Sequence, residues 1–204
     1  MGKKRVNRYG KFNNKLNFRD QLSESLIYLK ESKNYIYFSV LIFVISGVFG
    51  IVYSDKLVYL DTLLKEIVSK TTDLNTGELI FFIMQNNMQS ALIAVAGGIF
   101  LGIMPIFNAV TNGVIIGYVI SKTYEVAGSA VLLRLIPHGI FELPAIFISL
   151  GLGIKLGFSI FSNKDKGDEF LRRFYNSANV FLMVVIPLLI VAAIIEGFLI
   201  DLVG

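Results

Sequence analysis

Five long stretches of this sequence are almost free of charged side chains, and they constrain the fold more than any other feature. Runs of about 18 or more apolar residues are typical of membrane-spanning helices, because a helix satisfies its own backbone hydrogen bonds in lipid. The hydrophobic fraction of 54% agrees with that interpretation. The sequence therefore predicts an all-α, polytopic transmembrane bundle with about five spans: Tyr35–Tyr53, Leu79–Met104, Ile106–Ser121, Gly139–Phe161 and Val180–Ile200.

Two prolines predict irregularities within these runs. The second and third runs meet at Pro105, and the third is short, so a tight helical hairpin is expected there. Pro187 lies near the centre of the fifth run and predicts a kink, because proline lacks the N–H that a helix interior requires.

The chain divides into a cytoplasmic basic head, residues 1–34, and a transmembrane helical domain, residues 35–204. Within the head, a stripe at helical spacing predicts an amphipathic helix on the membrane surface, with partner binding as the alternative: Phe18, Leu22, Leu26 and Leu29. A second stripe predicts a short surface helix after the first span: Leu57, Leu60, Leu64 and Ile67.

The distribution of lysine and arginine predicts the orientation. Thirteen of these residues lie in the head and in the loop between spans four and five, whereas five lie in the loops on the opposite side. Because cytoplasmic loops are enriched in basic residues, we expect a multi-pass cell-membrane protein with its N-terminus in the cytoplasm and its C-terminus outside. Lys155, near the cytoplasmic end of its span, is expected to extend to the lipid headgroups.

Five costly polar side chains fall toward the outer leaflet in this orientation, and they come from spans two, four and five. A carboxylate inside a span costs on the order of a few kcal/mol, so each such group is expected to have a partner. The sequence therefore predicts one buried polar network that locks the three spans together: Asn86, Asn87, His138, Glu142 and Glu196.

Small residues in spans two, three and five predict close contacts between helices. They are Gly97, Gly98, Gly102, Gly113, Gly117, Ala193 and Gly197. Two arrangements stay open, because these contacts form either within one chain or between the subunits of a homodimer or higher homo-oligomer. A second polar cluster, Asn108 and Asn112, is predicted on the opposite side of the membrane.

Residue chemistry excludes several classes of site. The sequence has no cysteine and a single histidine, so disulfides, thiolate metal sites and cysteine nucleophiles are excluded. His138, Glu142 and Glu196 would supply three metal ligands, but the HExxH spacing of membrane metalloproteases is absent. Phosphate-binding loops and a basic surface interleaved with aromatic residues are also absent. We therefore expect no catalytic residue, metal, cofactor or nucleic-acid partner.

Several short motifs follow one another along residues 79–200. They are Asn86-Asn87, Gly97-Gly98-Ile99-Phe100-Leu101-Gly102, Asn112-Gly113, Gly117, Pro137-His138-Gly139-Ile140-Phe141-Glu142-Leu143-Pro144-Ala145 and Ala192-Ala193-Ile194-Ile195-Glu196. In this order they resemble the stage II sporulation protein M (SpoIIM) family, and the stretch around His138 is the specific part. The resemblance implies an all-helical integral membrane protein with no assigned reaction. The bacterial members that give the family its name act in spore engulfment, where they hold cell-wall-remodelling proteins at a membrane.

These observations favour a non-enzymatic membrane scaffold that self-associates and organises other membrane or envelope proteins. The alternative is a small transporter or channel with a proton-linked polar path through Glu142 and Glu196. The two hypotheses differ in one physical requirement, because a scaffold needs the polar network sealed whereas a transporter needs it in contact with water.

Overall fold

The fold is a helical bundle with short connections. The computed structural model describes residues 17–203, apart from 129 and 164. The described residues form α1 Phe18–Glu31, α2 Lys33–Val52, α3 Leu60–Thr71, α4 Thr76–Ala96, α5 Ile103–Ala127, α6 Ala130–Gly157, α7 Lys166–Val180 and α8 Ile186–Val203. They include no strand, so the all-α prediction is confirmed.

Five helical segments are long and apolar enough to cross a membrane, which confirms the predicted number of spans. They are Lys33–Val52, Thr76–Ile99, Ile103–Val126, Gly139–Phe161 and Lys166–Ile195. The fifth begins earlier than predicted, because the polar helix α7 continues into α8 without a loop. Helices are present as α1 and α3 at both stripes for which surface helices are predicted, and their place on the membrane surface stays a prediction.

Surface helices mark the two ends of the bundle, which we name the α1 end and the α3 end. At the α1 end, Lys155 of α6 bonds to Ser32 between α1 and α2, and the α4–α5 turn approaches α6 through Gly98 and Gly153. At the α3 end, Ser121 of α5 bonds to Ser54. Successive spans therefore alternate in direction between these two ends.

Helix α6 forms the centre of the bundle. Two-thirds of its span (67%) is buried, against 22–33% for the other four spans. It contacts α2, α4, α5 and α8, and its Ala145, Leu150 and Leu152 are fully buried. The other spans therefore surround α6 and expose most of their own surface to the membrane.

The turn between α4 and α5 is tight, as the predicted hairpin requires, but the two helices do not pack along their length. Leu101 (φ 57°) and Gly102 (φ 77°) adopt left-handed conformations that reverse the chain. Pro105 lies in the first turn of α5, where a missing N–H costs little. Beyond the turn the helices diverge, because α5 packs mainly on α2 whereas α4 packs on α6 and α8.

Glycines explain why α5 packs on α2. A side-chain carbon at Gly117 would overlap the carbonyl group of Gly47, and one at Gly50 would overlap the carbonyl of Val114. Gly113 similarly faces the carbonyl of Phe43. Absence of side chains at these positions lets the two backbones touch, which is how membrane helices gain dispersion energy without a hydrophobic driving force.

The predicted irregularity near Pro187 takes the form of a π-helical segment, Phe181–Val185, between α7 and α8. Pro187 has no N–H to offer the carbonyl one turn earlier, so the regular hydrogen-bond ladder is interrupted there. Single π turns are a recognised way for a helix to absorb such an interruption.

Candidate functional site

The predicted polar network is described in part. Asn87 is buried on α4, and Glu142 is half-buried on α6 with one carboxylate oxygen shielded from solvent. The side chains of His138 and Glu196 lie outside the described residues, although both positions are helical. The proposal that His138 and Glu196 join Asn87 and Glu142 in one cluster therefore stays a prediction.

Asn86 corrects the prediction of five buried groups, because its side chain is exposed at the surface of the chain. The buried face of α4 runs through Asn87, Ala91 and Ala94, at spacings of four and three residues. Asn86 precedes Asn87 and is rotated about 100° from that face. Among the described side chains of the network, Asn86 contacts Asn87, whose Oδ1 lies 3.5 Å from the Nδ2 of Asn86.

Two further amides join Asn86 on the outside of α4. Gln85, Asn86 and Gln89 are all exposed, and we call these three residues the amide face. They lie nine to thirteen residues after Thr76, so they sit roughly 14–20 Å along the helix from its first residue. The candidate span Thr76–Ile99 has 24 residues, so the amide face lies near the middle of that span.

An open cleft at the α3 end continues into the amide face. It has a volume of about 560 Å³ and lies between α3, the loop to α4 and the first three turns of α4. Lys70 and Glu78 lie at its rim, Phe81 and Phe82 form its wall, and Gln85 lies at its inner limit. Glu78 also closes a capping box with Asn75, so its carboxylate is fixed at the start of α4.

A buried charge cluster lies at the α1 end. Lys155 is only 5% exposed, and its Nζ lies 3.6 Å from the centre of the Tyr28 ring and 3.0 Å from Ser32 Oγ. Glu31 Oε2 is 3.8 Å from the same Nζ. The expectation that Lys155 extends to the headgroups is therefore wrong, because α1 covers it and supplies an aromatic face that stabilises the cation.

Burial also determines the chemistry of Tyr28. It raises the pKa of Tyr28 to about 12, so the phenol stays neutral across the physiological range. A neutral ring presents its electron-rich face to Lys155, whereas a phenolate would need a counter-ion. Tyr28 therefore contributes to a structural contact and is not an acid–base group at neutral pH.

Glu169 completes the cluster from α7. It is 4% exposed and binds Arg172 through Nε at 3.0 Å and Nη2 at 2.8 Å. It also accepts a bond from Arg173 Nε at 2.8 Å, and Arg173 Nη1 donates to the carbonyl of Lys155 at 2.5 Å. In the sequence these arginines belong to the predicted loop between spans four and five, and no spacing there indicates that α7 contacts α6.

Polar contacts at the α3 end are more exposed. Tyr118 Oη donates to Asp61 Oδ1 at 2.6 Å, which fixes α3 to α5. Lys122 Nζ lies 3.0 Å from Asp55 Oδ1, but the aspartate side chain is 90% exposed. Such a surface pair contributes little, about 0–1 kcal/mol. Among the described side chains, this end therefore has fewer buried charges than the α1 end.

The helix-packing residues predicted in spans two and three all make contacts within the chain. Gly98 faces the backbone of Gly153, Gly97 faces Met104, and Gly102 faces Ile154, in addition to the contacts of Gly113 and Gly117 with α2. Ala193 is buried, and the surroundings of Gly197 lie outside the described residues. The five glycines of spans two and three therefore pack against other helices or turns of the same chain.

Asn108 and Asn112 contact each other, in agreement with the predicted second polar cluster. Asn112 Nδ2 donates to Asn108 Oδ1 at 2.8 Å and to the carbonyl of Asn108 at 2.9 Å. The two asparagines lie one turn apart on the same face of α5. Within the described part of the chain, no group of three or more histidine, cysteine, aspartate or glutamate side chains is arranged to hold a metal.

Comparison with known proteins agrees with the membrane architecture. The family model for stage II sporulation protein M matches residues 39–199, which covers all five spans in whole or in part. An uncharacterized protein of Methanocaldococcus jannaschii is 29% identical over 126 residues, covering 57% of this chain and 68% of that protein. No solved structure matches the chain. Since the family model covers most of the chain, the protein belongs to the stage II sporulation protein M family.

Proposed function

We propose that this protein is a non-enzymatic membrane scaffold that associates with itself and with other membrane or envelope proteins. The observation that carries the proposal is the amide face, because three exposed amides near the middle of a candidate span need hydrogen-bond partners that lipid does not supply. Moving an amide from water into an apolar medium without a partner costs about 2–7 kcal/mol. A second membrane helix placed against this face removes that cost.

Amide chemistry favours a second copy of the chain as one such partner. Each amide carries both donors and acceptors, so Gln85 or Gln89 can bond to its own counterpart across a two-fold axis. Hydrogen bonds of this kind between membrane helices contribute about 0.6–2 kcal/mol each. A homodimer is therefore the simplest assembly, and the same face accepts a polar helix of another membrane protein.

Close packing inside the bundle favours the scaffold over the transporter. Side chains from α4, α6 and α8 fill its centre, and Ala91, Ala94, Ala145, Leu150 and Leu189 are fully buried there. A transporter based on Glu142 and Glu196 would need a hydrated path beside these residues. The amides of α4 that such a path would use lie mostly on the outer surface of the chain.

Replacing Gln85 and Gln89 by leucine together is expected to weaken self-association at least about tenfold, because two or more interhelical hydrogen bonds are lost. The mass of the purified protein in mild detergent, measured over a range of concentrations, reports the change. Replacing Leu41 and Ile45 by alanine provides the control, because both are exposed apolar residues of α2, a helix that does not carry the amide face. Equal dimerisation by the leucine variant and the native chain would rule out this face as the interface.

We also propose that the α1 end faces the cytoplasm and the C-terminus lies outside, on the basis of the lysine and arginine distribution. Single cysteines placed at Asn13, Thr72, Ser129, Asn163 or Val203 allow a clean test, because the native chain has none. An impermeant thiol reagent added to intact cells is expected to label the cysteines at positions 72, 129 and 203. Labelling at positions 13 or 163 instead would reverse the orientation.

A further inference from the structure

An apolar groove runs along the side of the bundle between α1, α6 and α8. It has a volume of about 420 Å³, and every described side chain that lines it is apolar. Leu22 and Leu26 of α1 lie at one end, Phe141 of α6 forms one wall, and Pro187 and Val191 continue it along α8. The π-helical segment adjoins the groove, since Met183 and Val184 also line it.

The size of the groove favours a single hydrocarbon chain over a helix as its apolar occupant. A helix with its side chains is at least about 10 Å wide, so a 10 Å length of helix occupies roughly 800 Å³. That is nearly twice the volume of the groove, so a partner helix would lie over the groove and not within it. A single extended hydrocarbon chain is much thinner, and most of the groove lies on segments that cross the membrane.

Charge on α1 indicates what kind of molecule carries the hydrocarbon chain. Arg19, Leu22, Leu26 and Lys30 follow spacings of three, four and four residues, so they share one face of the helix. Both cations are exposed, and neither makes an ion pair with another described residue.

The acidic residues of α1 lie away from that face. Asp20, Glu24 and Glu31 all project from the opposite flank at 100° per residue. The side of α1 beside the groove is therefore basic at both ends and apolar between them. This arrangement is complementary to a lipid with an anionic headgroup.

We infer that the groove binds an anionic phospholipid, with one acyl chain along α8 and the anionic headgroup attracted by Arg19 and Lys30 at the two ends of α1. The acyl chain covers Pro187 and Val191, and the headgroup stays at the level of α1. A bound lipid then connects α1 to α6 and α8 on the side opposite the ion pairs of Glu31.

Photolabelling of the full chain in nanodiscs tests this assignment. The probes are phosphatidylglycerol and phosphatidylcholine with a diazirine on one acyl chain, each at the same mole fraction, and mass spectrometry locates the labelled peptides. We expect phosphatidylglycerol to label the segment from Met183 to Val191 more strongly than phosphatidylcholine. Replacing both Arg19 and Lys30 by glutamine is expected to reduce phosphatidylglycerol labelling roughly tenfold, as two basic groups near an anionic lipid contribute on that scale.

Matched variants separate this site from general contact with lipid. Replacing Lys56 and Lys65 by glutamine removes the same charge at the α3 end and should leave the labelling unchanged. Val191→Trp fills the groove and should reduce labelling by both lipids, whereas Ile190→Trp, at an exposed neighbour outside the groove, should not. Equal labelling of the native chain by the two lipids would overturn the assignment, as would equal losses in the two charge variants or in the two tryptophan variants.

Discussion

Replacing Gly117 by alanine is expected to destabilise the bundle by about 3 kcal/mol or more, at the upper end of the cost of overpacking. A methyl group at this position would overlap the carbonyl group of Gly47, and neither backbone can rotate away as a side chain can. The two helices must separate, which removes the dispersion contacts along α2 and α5. Thermal unfolding of the purified protein in nanodiscs measures the loss.

Gly47→Ala provides the matched control within the same interface. A methyl group at Gly47 would meet the carbonyl oxygen of Gly113 at 3.5 Å, which is an ordinary van der Waals contact. We therefore expect a change well below 1 kcal/mol, consistent with substitutions that introduce no overlap. Similar unfolding temperatures for the two variants would mean that α2 and α5 do not pack through these glycines.

Replacing Glu169 by alanine is expected to cost about 3 kcal/mol, because removal of one member of a buried ion pair leaves the other charges without compensation. Arg173 is affected most by the loss of the carboxylate, since its side chain is 12% exposed and also donates to the carbonyl of Lys155. Arg172 is 36% exposed and regains water, which keeps the expected cost at the lower end of the usual range. The same unfolding measurement in nanodiscs reports this change.

Two companion variants test whether this loss of stability comes from the buried ion pair. Glu169→Gln keeps the shape and one acceptor oxygen, so it should lie between alanine and the native chain. Asp168→Ala removes an exposed carboxylate from the first turn of α7, where such charges contribute about 0.3–1 kcal/mol. A loss for Asp168→Ala as large as that for Glu169→Ala would show that general charge, and not the buried pair, stabilises α7.

Much of the architecture follows from the sequence because membrane burial leaves a simple signal. The length and low charge of each apolar run are sufficient to predict the five spans, and helical spacing is sufficient to predict α1 and α3. Partner choice between helices leaves no comparable signal. Gly113 and Gly117 are recognisable as packing residues, but only the structure identifies Gly47 and Gly50 on α2 as the surface they meet.

The candidate site was predictable to a lesser extent, because rotation about a helix axis decides which polar groups are buried. Asn86 and Asn87 are adjacent in sequence and look equivalent in a hydrophobic run. Asn87 faces the core and Asn86 faces outward, since consecutive residues differ by about 100° around the helix. Lys155 poses the same problem in reverse: its position near a span end suggests exposure, and only the docking of α1 buries it.

Cysteine cross-linking at Asn86 tests the central claim most directly, because the native chain contains no cysteine that would interfere. In membranes treated with a mild oxidant or a short bifunctional thiol reagent, Asn86→Cys is expected to form a cross-linked dimer or a cross-link to another membrane protein. Ile45→Cys, exposed on α2 and therefore on a different helix from the amide face, should react much less. The account predicts that Asn86→Cys is also protected from small water-soluble thiol reagents. Ready modification by those reagents without any cross-link would contradict it, since the amide face would then line a water-filled path.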